Sequence, residues 1–330
     1  MSYSYPEKVI ISGGHEIGGV GSFADSLRQG FSKRGIEVEI VSPGSVFHRR
    51  QDLQNPRILK ILSTTAVFAA PFCRRTICVA HGVPRADYQG WKKLVAIIGS
   101  FKLANRCAGT RLVSVSHYTA STLRAVFSVR TDAVIHNPAK PLYLEPRGED
   151  TEERCYITYV GRLIAAKNLH RIFPAIRDVL DANPGMKMCV IGRGEQRAEL
   201  EAMVKGDARF EFPDAPEDYK VRDYLRRTKV FVSGNEVEGF GIAYLEALSQ
   251  GCNVAMPSSG GGLEIAPEEI GRSVQLFPLS WDSGDVGRTL SRALSQPPPE
   301  ITTDTFTIGA VTERYLAVDA EYFGDAYGND

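Results

Sequence analysis

The chain has 330 residues, 43% of them hydrophobic and 24% charged, and its 39 basic and 39 acidic side chains leave no net charge. That length and balance predict two globular α/β domains and argue against a disordered, fibrous or disulfide-stapled chain. The longest apolar run, residues 58–72, is interrupted by Lys60 and is too short to span a membrane.

The N-terminus lacks the charged-then-apolar order of a secretion signal. The six cysteines are scattered with no Cys-x-x-Cys pair, the usage expected of reduced thiols in a cytoplasmic protein. The halves differ in charge. Residues 1–150 hold 20 basic against 11 acidic side chains, and residues 151–330 hold 19 against 28, giving +9 and −9. Within 47–111 there are 12 basic and 2 acidic residues, a field that suits an anionic partner or merely solvates the surface.

In chain order, Lys8–Ser12 reads as a buried strand that ends in the glycine-rich run 12–23. A helix over 23–34, with Phe23, Leu27 and Phe31 on one face, leads to a second strand over 36–42. This strand–loop–helix–strand unit is that of a doubly wound sheet, and such a loop allows close approach of a ligand to backbone. It is not a regular G-x-G-x-x-G, and no acidic residue closes the second strand. Further strands are predicted over 77–80, ending at His81-Gly82, over 112–115 and over 133–135, with helices near 90–106 and 118–126. Residues 139–153, Pro-rich and then acidic, form the best candidate linker.

The alternation restarts at residue 155. A strand over 155–160 runs into Gly161-Arg162-Leu163, followed by Lys167-Asn168 and a helix near 169–183. A strand over 188–191 enters Gly192-Arg193-Gly194, one over 210–212 precedes a loop and helix, and one over 230–233 leads into 238–251. That last stretch holds Glu238 and Glu246 with seven residues between them. The Gly239-Phe240-Gly241 turn opens a helix that is apolar nearly all round, and Gly251 closes it. A carboxylate inside such a helix needs a partner, either a protein cation or a ligand. Arg162 and Lys167 follow one strand end, and the uncompensated N–H groups at the start of the 238–251 helix follow another. Two cations and a helix N-terminus on one crevice describe a diphosphate site. The alternative is a structural pairing of Arg162 with one of the two glutamates. There is no Asp-x-Asp metal pair, no G-x4-G-K-[ST], no zinc-ligand spacing and no G-x-S-x-G elbow.

The segments YVGRLIAAKN (159–168), VIGRGE (190–195), the run 230–257 containing EGFGIAYLEALSQG, and GGLEI (261–265) resemble the family 4 retaining glycosyltransferases. The first half resembles them more loosely, through GGVG, HG (81–82), VSVSHYT (113–119) and HNP (136–138). The resemblance implies a GT-B fold, two Rossmann-like domains facing a cleft: residues 1–146 with a returning helix near 310–325, and residues 147–309. It implies that Arg162 and Lys167 bind the diphosphate of a nucleotide-sugar and that Glu246 holds the ribose. Glu238, Phe240, Gly241 and Ile242 would contact donor sugar and phosphate, and His81 would lie by the reacting sugar. Gly18 and Gly19 would approach the phosphates, and Gly192 and Phe212-Pro213 would border the base. The glycine often found after the 210–212 strand is missing, and Asn137-Pro138-Ala139-Lys140 replaces the family's frequent Asn-Gly-Val-Asp.

The function so implied is metal-independent transfer of a hexosyl or N-acetylhexosaminyl group, from a UDP- or GDP-sugar, to a glycan or lipid-linked acceptor. The same fold also serves nucleotide-sugar epimerases and phosphorylases. An NAD-dependent oxidoreductase is the more remote alternative, and no nucleic-acid-binding module is visible. No cofactor is expected. The basic first half, with the apolar run 58–72 beside it, would place a cytoplasmic protein on the inner face of an anionic membrane.

Overall fold

The computed structural model describes residues 5–13, 19–145, 153–214 and 217–327. It divides into two compact units, Met1–Pro138 together with Asp304–Asp330, and Ala139–Thr303. Both are parallel sheets flanked by helices, the arrangement that lets strands of continuous apolar residues be buried on both faces.

The first unit contains Lys8–Ser12 (β1), Glu37–Val41 (β2), Ile58–Ser63 (β3), Thr76–Ala80 (β4), Thr110–Ser114 (β5) and Ala133–Val134 (β6), in the order β2-β1-β3-β4-β5-β6. Every pairing is parallel. β3 corrects the first part of the reading of 58–72 as a membrane-docking run: all six of its residues are buried in the middle of the sheet, while Phe68 and Phe72 beyond it are exposed. Lys60 obscured it, because a lysine inside an apolar run argues against a core strand. Its ammonium is satisfied by three backbone carbonyls, of Asn55 (2.7 Å), Ile58 (2.9 Å) and Arg74 (2.7 Å). Burial lowers its pKa to about 8.

The basic field over 47–111 is also partly neutralised by ion pairs, one of them buried. Arg49 pairs with Glu39, Arg57 with Glu7, Arg75 with Asp319 and Arg85 with Asp87. The chain's last helix, Ile308–Tyr327, belongs to this first unit. It packs on the helix Gly19–Ser32, where Gly30 lies close against Ile308 and Thr312. Val311, Tyr315 and Val318, which share one face by their spacing, are buried, and Tyr322 on the same register is half-buried. Periodicity did not show Asp319, which is fully buried and receives Arg75 Nε at 2.9 Å and Nη2 at 2.8 Å.

The second unit contains Tyr156–Val160 (β7), Lys187–Ile191 (β8), Phe210–Glu211 (β9), Thr228–Val232 (β10), Asn253–Pro257 (β11) and Val274–Phe277 (β12), in the order β12-β11-β10-β7-β8-β9. The unit begins at Ala139, the first residue of the candidate linker and ahead of the 146/147 boundary implied by the resemblance. The supposed linker starts with a short helix, Pro141–Leu144, whose Tyr143 is 2% exposed. Gln250 Nε2 donates to the Tyr143 carbonyl (2.7 Å) and Lys140 pairs with Asp218 (2.6 Å), so these residues are tied to the second sheet's helices.

Removing one partner of a buried ion pair strands the other charge. Asp319→Ala is expected to destabilise the protein by about 3–5 kcal/mol, measured by urea denaturation. The double change Arg75→Met, Asp319→Leu should recover most of that loss.

Candidate functional site

In the second sheet the chain builds β7, β8 and β9 to one side and β10, β11 and β12 to the other. β7 and β10 are therefore neighbours whose following loops diverge, which leaves a crevice at their carboxyl ends, the place where such sheets take ligands. The loop after β7 carries Arg162 and Lys167. The loop after β10 carries Asn235 and Glu238.

These two loops are joined by an ion pair. Lys167 Nζ donates to Glu238 Oε2 at 2.6 Å, and Asn235 Nδ2 reaches the same oxygen at 2.6 Å. Burial pushes the Glu238 carboxyl up. The Lys167 charge outweighs it together with hydrogen bonds from Lys167, Asn235 and the Gly239 backbone, and the carboxyl stays below its ordinary range. Lys167, not Arg162, is thus the glutamate's cation. Arg162 is exposed at the mouth of β7, and its carbonyl accepts from the buried Tyr159 hydroxyl at 2.8 Å. Asn168 explains why Lys167-Asn168 occurs as a pair: it adopts a left-handed conformation (φ 55°) that turns the chain into the next helix. Its side chain also donates to the Gly234 carbonyl at 2.9 Å. The 257–265 loop supports the same segment from behind, with Gly261 N donating to the Glu238 carbonyl (2.9 Å) and Ser259 Oγ to that of Glu236 (2.8 Å).

The helix Ile242–Ser249 starts beside this pair. Its N-cap is Gly241 at φ 89°, and no side chain caps it. A Cβ at Gly241 would strike the Tyr244 ring, so the turn that aims the first-turn N–H groups at the crevice requires glycine. Phe240 is buried and Ile242 half-buried. Four residues into the helix, Glu246 is half-buried and its carboxyl makes no hydrogen bond or ion pair among the described residues. Withdrawal from water pushes its carboxyl up to about 8. Lys140 opposes that shift, and Asp218, itself paired with Lys140, adds to it. Among the described residues no protein cation pairs with it.

Gly192 has a packing role. A Cβ there would overlap the Gly161 carbonyl oxygen. The loops after β7 and β8 are zipped by Gly161 N to Ile191 O (3.0 Å), Leu163 N to Arg193 O (2.8 Å) and Gln196 N to Leu163 O (3.0 Å). Arg197 ties the Phe212 carbonyl (2.7 Å) and the Gly192 carbonyl (3.3 Å) together, and so holds the 212–213 segment beside this loop. Sequence reasoning missed Asn235, Arg197 and a stack in which Arg171 lies 3.9 Å over the Trp281 ring while both bond Glu236. Single Asn and Arg residues in loops carry no pattern that would single them out.

In the first unit, His81 follows β4. Phe23 meets its ring edge-on at 4.7 Å, and its Nε2 is buried without a hydrogen-bond partner among the described residues. Burial lowers its pKa to about 4, so the imidazole is neutral at physiological pH. Gly19 opens the helix Gly19–Ser32, and Gly18 lies outside the described residues.

Two Rossmann-like parallel-sheet units are the architecture of the GT-B fold. A solved protein of Anabaena, Alr3699/HepE, in complex with UDP and glucose, superposes with a TM-score of 0.67 over 98% of this chain and 96% of its own, at 13% identity. Residues 145–275, within the second unit, match the family described as glycosyl transferases group 1. A phosphatidylinositol N-acetylglucosaminyltransferase polypeptide of Homo sapiens is 26% identical over 172 residues, 50% of this chain and 35% of that protein. A GDP-mannose-dependent monoacylated alpha-(1-6)-phosphatidylinositol monomannoside mannosyltransferase of Corynebacterium glutamicum is 27% identical over 145 residues, 42% of this chain and 37% of that protein. The chain thus matches little more than a third of the length of these two relatives.

The raised Glu246 carboxyl has a consequence for stability. Folding favours its protonated form, so its contribution is complete below the ordinary glutamate range near pH 4 and is lost as pH rises through about 8. Glu246→Gln cannot ionise. It should match the parent protein in urea denaturation at pH 4 and exceed it at pH 9, by about 1–3 kcal/mol after allowance for partial exposure.

Proposed function

We propose that the chain is a retaining glycosyltransferase that takes a nucleoside diphosphate sugar at the carboxyl edge of its second sheet and needs no metal to do so. The observation that carries this reading is the conjunction at one switch point: the Lys167–Glu238–Asn235 cluster, the uncapped helix start at Ile242, and the Glu246 carboxyl about one turn along, unpaired among the described residues.

Each group then has a role. Arg162, Lys167 and the first-turn amides of the 242–249 helix receive the diphosphate. As the bond from the anomeric carbon to the diphosphate oxygen breaks, they stabilise the growing negative charge, the term that dominates such reactions. Lys167 is poised for this because Glu238 holds it in the crevice. When the diphosphate takes its share of the ammonium, the Glu238 carboxylate becomes an acceptor for hydroxyls of the donor sugar. The Glu246 carboxyl exchanges hydrogen bonds with the ribose hydroxyls, which would satisfy a group that has no partner among the described residues. The neutral imidazole of His81, in the first unit, can exchange hydrogen bonds with a hydroxyl through Nε2, which has no partner among the described residues.

UDP is the favoured nucleotide, on the strength of the UDP held by the Anabaena protein, with GDP the alternative suggested by the mannosyltransferase. Both curated relatives bear names that denote phosphatidylinositol-based substrates, which favours a lipid-linked acceptor.

Thermal-shift titration with UDP, GDP and their sugars would identify the nucleotide. Arg162→Ala and Lys167→Ala should each lower donor turnover on the order of 10²–10³-fold. Near-normal turnover in both would overturn the assignment. Prior treatment with EDTA should leave the rate unchanged, and a loss restored by Mg²⁺ or Mn²⁺ would refute metal independence. Product formation without any acceptor would identify an epimerase instead.

A further inference from the structure

We infer that the outward face of the helix Trp91–Ala104, in the first unit, docks on an anionic lipid bilayer. The helix sequence WKKLVAIIGSFKLA is apolar almost all round, with lysines as its only charges. One side is accounted for by the core, where Ile97, Ile98, Phe101 and Ala104 are buried. The other side is apolar without cover: Trp91 is 66% exposed, Val95 60% and Leu103 46%. At helical spacing Trp91, Val95 and Lys102 share this face, with Lys92 and Leu103 on its flank. The segment Thr64–Phe72 packs alongside the helix and adds Phe72 at 64% exposure.

Charge selects the occupant. Lys92, Lys93, Lys102 and Arg106 are all exposed, and the sequence has no acidic residue between Asp87 and Asp132. A second copy docking here across a two-fold axis would set these lysines against themselves. A protein partner would ask for a face depleted of lysine. A bilayer surface takes both parts: the Trp and aliphatic side chains enter the headgroup boundary, and the lysines extend to acidic lipid. Among the described residues no helix is long and apolar enough to cross a membrane, so contact through this helix is peripheral. Of the apolar run 58–72, the inference keeps only the end at Phe72, since β3 within it is core. It is independent of the donor site.

The test uses the whole chain with vesicles of phosphatidylglycerol and phosphatidylcholine, against phosphatidylcholine alone, at low salt. Tryptophan emission reports the contact, because the chain has 2 tryptophans and the other, Trp281, is 3% exposed in the second unit. Expected are cosedimentation with the anionic vesicles and a blue shift of emission that Trp91→Ala abolishes. The combined change Lys92→Glu, Lys93→Glu, Lys102→Glu should weaken binding on the order of 100-fold or more. Both variants alter exposed side chains, so melting temperature and nucleotide-induced thermal shift should stay at parental values, which separates this proposal from the donor reading. Failure to cosediment, equal binding to phosphatidylcholine, or binding without the blue shift would overturn it. So would a dimer that Trp91→Ala dissociates, which would assign the face to a second copy.

Discussion

The Lys167–Glu238 ion pair spans the crevice that the strand order of the second sheet leaves between β7 and β10. A strand order that reverses direction must leave its two central loops pointing apart, with their polar groups at the sheet edge and no secondary structure to satisfy them. The pair supplies part of that satisfaction and fixes where the cation and carboxylate stand. Much of the local detail serves it: Asn235 takes up a second share of the Glu238 oxygen, Asn168 turns the chain just after Lys167, and Gly261 holds the Glu238 backbone.

Around that pair the protein leaves groups less than fully satisfied. Among the described residues, Glu246 sits in an apolar helix with no partner for its carboxyl, the helix start at Ile242 has no side-chain cap, and His81 Nε2 is buried unbonded. Each is unfavourable for folding alone, and departures of this kind collect at functional sites. The balance is made elsewhere, in cores such as the one between the second sheet and the helices Leu169–Ala182 and Ser283–Ser295, where Ile172, Ile176, Val190, Val286 and Leu290 are wholly buried. The tail helix shows the opposite strategy. Its Asp319 is buried but doubly bonded by Arg75, so the charge specifies how the helix seats on the first unit.

The strand–helix alternation, the helix that opens after Gly241 and the buried face of the last helix were legible because each rests on local periodicity or on a glycine that punctuates it. β3 was not, since only the folded sheet brings three carbonyls around Lys60 and makes a lysine acceptable there. The start of the candidate linker was misread for a similar reason: Pro-rich composition says nothing of Tyr143 and Lys140 being held by Gln250 and Asp218, far along the chain.

For the candidate site, the sequence by itself determined which residues crowd the carboxyl ends of two strands: Arg162, Lys167, Glu238 and the glycines before Ile242. Spacing along a chain decides such neighbourhoods, because a strand of known direction delivers its following loop to a known edge. Which charge meets which was decided only by tertiary structure. Distance and burial gave Lys167 to Glu238, kept Arg162 exposed at the sheet edge, and left Glu246 without a paired cation among the described residues. Ion pairing depends on ångström separations across the sheet, and no one-dimensional pattern records them.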